Sequence, residues 1–83
     1  MIDEGIQEDV LRALVEQHAV REAVVGRVRG ADNQWSLSVR LGSPNARLIP
    51  VRSRRATLRT WASLTAVGRF ADGIGLRGFS VEL

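Results

Sequence analysis

The chain of 83 residues has no cysteine, no lysine and no tyrosine, one histidine and two prolines. Without thiols it can form neither a disulfide framework nor a thiolate metal site, so aliphatic packing must supply its stability. Aromatics are scarce too: Trp35, Trp61, Phe70 and Phe79 make up 5% of the chain. No apolar run approaches the ~20 residues that span a bilayer. Met1-Ile2-Asp3-Glu4 also lacks the basic and apolar regions of a signal peptide. The expectation is one small domain over residues 1–83 in a bacterial-type cytoplasm, with no membrane partner.

Charge is unevenly distributed. Residues 1–26 carry Asp3, Glu4, Glu8, Asp9, Glu16 and Glu22 against Arg12 and Arg21, whereas residues 27–83 carry ten arginines against Asp32, Asp72 and Glu82. Every basic residue is arginine, as a GC-rich genome would produce, or as selection for planar bidentate contacts to phosphate or carboxylate would. Five of them, Arg47, Arg52, Arg54, Arg55 and Arg59, fall in residues 47–59 with no acid among them.

Hydrophobic spacing predicts a helix over residues 3–18, capped by Asp3, with Ile6, Val10 and Leu14 on one face and Leu11 and Val15 beside them. Val20, Val24, Val25 and Val28 predict a strand ending at the turn formers of residues 30–33. Trp35, Leu37, Val39 and Leu41 alternate with polar residues, which predicts an interior strand with one buried face. Residues 46–51 contain Pro50, which has no N–H to donate, so a short irregular edge strand is expected there. Alternation over residues 54–61 predicts a fourth strand. Ser63 caps a second helix with Leu64, Val67, Ala71 and Ile74 in one stripe, Phe70 beside it and Gly75 as its left-handed stop. Phe79, Val81 and Leu83 alternate in a last strand. The order α-β-β-β-β-α-β makes an α+β domain, a mostly antiparallel sheet with two helices on one face, the crossover through the second helix placing the last strand parallel to the fourth with one strand between them or beside the sheet.

Catalytic equipment is thin. His18 has Glu16 and Glu22 near it in sequence, but helical geometry brings at most one of them to its face, so it reads as a helix-terminal histidine rather than a metal ligand. The acids Asp3, Glu4, Glu8 and Asp9 suit the positive end of a helix without a cation. No serine sits in a nucleophile elbow, and the glycines of residues 73–78 follow a helix, where a phosphate-cradling loop would precede one. No cofactor, metal or enzymatic activity is expected.

The arginine patch can bind a nucleic-acid backbone, each guanidinium that neutralises a phosphate releasing counterions. A solvated strand face with genomic arginine bias is the plainer alternative. Trp61, beside Arg59, forms a stacking platform for bases if exposed, and otherwise packs on the following helix. A single strand cannot turn Arg52, Arg54, Arg55 and Arg59 to one face, so the patch needs to wrap an edge or bulge at Pro50 and Ser53. A small domain with an open strand edge is also a candidate homodimer.

The segments Val51-Arg52-Ser53-Arg54-Arg55, Leu58-Arg59-Thr60-Trp61, Ser63-Leu64-Thr65-Ala66-Val67, Gly73-Ile74-Gly75-Leu76 and Phe79-Ser80-Val81 resemble the small ParC-type partition-associated proteins of bacterial plasmids and integrative elements. In that family a strand with arginine and an aromatic leads into a helix and a final short strand. The resemblance covers most of residues 18–83. It implies a non-catalytic accessory protein of a mobile genetic element that contacts DNA or a partition protein. The alternative from the residues is a small phage- or plasmid-encoded inhibitor or modulator of a host protein, anti-CRISPR-like, meeting an acidic protein surface through the arginines.

Overall fold

A computed structural model describes residues 5–31 and 33–83, so the expected Asp3 cap lies outside the described residues. The elements are α1 (Glu8–Glu16), β1 (Val20–Arg27), β2 (Trp35–Leu41), β3 (Ile49–Pro50), α2 (Leu64–Ile74) and β4 (Ser80–Glu82). The α+β class and the interior position of residues 35–41 are as the alternation predicts. The sheet runs β3-β2-β1-β4, with β1–β2 and β2–β3 antiparallel and β4 parallel to β1.

One sheet face, bearing Ala23, Val25, Leu37 and Val39, meets Leu11 of α1 and Val67 and Ile74 of α2 in a single core. Leu11, Val25, Leu37, Val39, Val51 and Val67 are sealed from solvent. At about 25 cal/mol per Å² of apolar surface, that burial is the main force holding the domain together. The opposite face carries Glu22, Ser36, Ser38 and Arg40, with Arg40 donating to Glu22 at 2.9 Å and to the Ala46 carbonyl.

The helix α2 begins and ends where local chemistry dictates. The Ser63 hydroxyl accepts from the Ala66 N–H at 3.1 Å, a cap worth about 1 kcal/mol. Gly75 takes the left-handed stop at φ 90°, and Leu76 N–H reaches the Ala71 carbonyl.

Three expectations are corrected. First, α1 starts at Glu8, because Ile6 is extended and bridges Val51: Ile6 N–H donates to the Pro50 carbonyl and Arg52 N–H to the Ile6 carbonyl. The helical stripe therefore centres on Leu11, and Val10 is half exposed. Gly5 lies so close to the Arg52 stem that a Cβ there would come within 2.9 Å of it. Second, of the fourth strand only Trp61 pairs, exchanging both backbone hydrogen bonds with Trp35 at 2.8 and 2.9 Å. Third, the last strand has no fourth strand to follow and lies along β1, whose other edge is filled by β2.

Candidate binding surface

Residues 52–58 form a loop instead of a strand. Its neck is closed by the Arg59 N–H, which donates to the carbonyl of buried Val51 at 2.9 Å. Inside it, the Ser53 hydroxyl accepts from Ala56 N–H at 3.0 Å and Ser53 N–H donates to the Ala56 carbonyl at 3.2 Å. A serine hydroxyl that captures a backbone N–H in this way competes with strand pairing and fixes a turn. Arg54 and Arg55 occupy the two middle positions of that turn, both exposed and without an ion pair among the described residues. The alternation over residues 54–61 was thus a turn followed by a return to the sheet.

Arg59 is built into the fold. Its Nη1 donates to Glu8 Oε1 at 3.0 Å, and its guanidinium carbon lies 4.9 Å from the ring centroid of Trp61 and 4.6 Å from that of Phe70. Trp61 and Phe70 are themselves 5.0 Å apart. Glu8 also accepts from Arg12 Nη2 at 3.1 Å, while Arg12 Nη1 donates to the Gly73 carbonyl near the end of α2 at 3.0 Å. The result is a chain of contacts from α2 through Arg12 and Glu8 to Arg59 and back onto α2 at Phe70. The hydrogen bond from Arg59, and after it the one from Arg12, hold the Glu8 carboxyl below its ordinary value.

Trp61 is therefore no base-stacking platform: it is 8% exposed and packs on α2. Arg52 is half-buried, and its Nε donates to the Ser53 carbonyl at 3.2 Å. Arg47 is exposed and lies two residues before Ile49, which pairs with Val39 towards the Leu41 end of β2, whereas Arg52, Arg54, Arg55 and Arg59 belong to the Trp35 end. A cleft of about 420 Å³ runs between the first turn of α1 and the loop, lined by Glu8, Asp9 and Arg12 on one side and Arg52, Arg54 and Arg59 on the other.

Topology adds residues that sequence proximity missed. The turn after β1 lies at the Trp35 end of β2, the end from which the 52–58 loop also springs, and it brings Arg27 and Arg29 there. Arg27 lies over the Trp35 ring at 5.2 Å. The signal for it in the sequence was an arginine at the last position before a turn, opposite an aromatic. His18 is exposed at the left-handed position after α1, with φ 58°, beside none of these residues. Among the described residues no three His, Asp or Glu side chains gather as a metal site would require. Guanidinium groups supply donors only, so the surface is equipped to hold an anion. Comparison with protein families, curated proteins and solved structures finds no match for this chain.

Proposed function

We propose that this protein is a cytoplasmic, non-catalytic accessory domain of a mobile genetic element, the role its resemblance to partition-associated proteins implies, and that of the two partners that resemblance allows, DNA or a partition protein, it docks on the phosphate backbone of DNA, through the 52–58 loop. The observation that carries the reading is the Ser53-fixed turn, which holds Arg54 and Arg55 side by side and exposed. Backbone phosphates are recognised by such guanidinium pairs without reference to base sequence. Arg27 and Arg29 at the same end of the sheet extend the contact, and Arg47 does not take part.

A second reading has its own support. Glu8 and Asp9 line the cleft beside the loop, and carboxylates there oppose a phosphodiester chain while suiting a protein surface of mixed charge. In that case the chain is a protein-binding modulator.

Salt-titrated fluorescence anisotropy on duplex and single-stranded DNA separates the two. If phosphates are the ligand, Arg54→Ala and Arg55→Ala each weaken binding on any sequence and shallow the plot of log K against log salt by about one unit. Affinity weaker than ~10⁻⁴ M at low salt, below ordinary non-specific binding, rejects DNA. A protein partner whose capture the same substitutions abolish then takes its place.

A further inference from the structure

The two edges of the sheet are finished differently. On the β3 side the edge is closed: Ile6 pairs along residues 50–52 and Pro50 has no N–H to offer. On the β4 side, Ser80, Val81 and Glu82 pair with Val24, Val25 and Gly26 on one flank, and all three are exposed. β4 is short and carries one charge, Glu82, but it has no proline, no basic residue and no bulge to turn a second strand away. Val81 is 43% exposed although its partner Val25 is sealed, and Leu83 is 94% exposed.

We infer that the free edge of β4 pairs with β4 of a second copy of this chain, antiparallel and centred on Val81. This does not rest on the DNA reading. Residues 79–83 run Phe, Ser, Val, Glu, Leu, a pattern of apolar and polar residues that is symmetric about its middle. Antiparallel pairing about Val81 sets Phe79 against Leu83 of the second copy and Val81 against its own counterpart. Ser80 then stands opposite Glu82, a hydroxyl donor facing a carboxylate. The parallel in-register alternative stacks Glu82 on Glu82, and like charges directly opposite destabilise a sheet. Charge thus selects the antiparallel arrangement, and the strand is its own complement, as an isologous two-fold contact requires.

Val81 lies opposite Val25, on the face the helices cover. Cross-strand partners point to the same side, so both helical layers fall on one side of a continuous eight-stranded sheet. Five residues of edge bury less than the ~800 Å² per partner of a standard interface and fall among the small, transient contacts, so the test is set around a Kd on the order of 10⁻⁴ M.

Sedimentation equilibrium on the full chain, from about 10 μM to about 1 mM to bracket that constant, reads this directly. The expected result is a mass that rises with concentration from 9.1 kDa towards twice that value. Val81→Lys sets two ammonium groups against each other on the axis and should hold the mass at the monomer value. Ser80→Arg sets an arginine against Glu82 twice and should tighten association about two-fold or more. Circular dichroism checks the fold of both variants, and Ser80→Arg decides the matter if Val81→Lys fails to fold. A wild-type mass of 9.1 kDa throughout, or a dimer indifferent to Val81→Lys, overturns the inference. Weaker association of Ser80→Arg overturns the register.

Discussion

Arg59 at the neck of the 52–58 loop and Arg54 and Arg55 at its tip are the same residue put to opposite uses. The neck arginine lies against two rings and a carboxylate brought from the other end of the sequence. The tip arginines touch solvent. A guanidinium enclosed by an ion pair and aromatic faces contributes to stability and is lost to a partner, whereas one held on a hydrogen-bonded turn contributes nothing to folding and is available. The count of five arginines in residues 47–59 therefore overstates the surface on offer.

The sharpest way to break this contrast is at the ring beneath the neck. Trp61→Ala removes a buried side chain that closes the core and supports Arg59, and should cost about 3–5 kcal/mol in urea unfolding. Next comes Arg59→Ala, expected to cost about 1–3 kcal/mol through lost packing, cation–π contact and the loss of one of the two arginine partners of Glu8. Its ion pair also has a pH signature. Because the folded state holds the Glu8 carboxyl below its ordinary value, the stability it lends is fully present above that value and is lost as pH falls through the folded one. A wild-type stability that declines across this acid range more steeply than that of Glu8→Gln is the expected outcome, and parallel curves would refute it. At the tip the effect should be smallest: Arg54→Ala and Arg55→Ala are expected to change unfolding free energy by less than about 0.5 kcal/mol. A larger loss would place the tip arginines in the fold alongside Arg59.

What could be read from the sequence divides along the range of the interaction. The cap at Ser63, the stop at Gly75 and the alternation from Trp35 to Leu41 are local, and each appears where its pattern indicates. The residues around Ser53 were equally local, but a side chain that captures its own backbone was mistaken for strand alternation. The fate of Arg59 was beyond reach, since Glu8 lies 51 residues away and no spacing rule joins them. Arg47 is close to the others in sequence, but it precedes β3 on the Leu41 side of β2, while the loop leaves from the Trp35 side. Arg27 was overlooked because its neighbour in space, Trp35, is across a turn.

The pairing of Ile6 with Val51, and of β4 with β1, has a kinetic consequence. Apart from the β1–β2 hairpin and the short return of β3, each backbone pairing joins segments distant along the chain, and β4 reaches β1 only after α2 has been laid down. Loop-closure entropy opposes such contacts until several can form together. The hairpin therefore has the lowest closure cost in the sheet, and the remaining pieces carry the higher cost of joining distant segments. Of these, β4 is paired on one flank only and exposed along its length, so its amides should be among the first of the sheet to exchange their hydrogens with solvent.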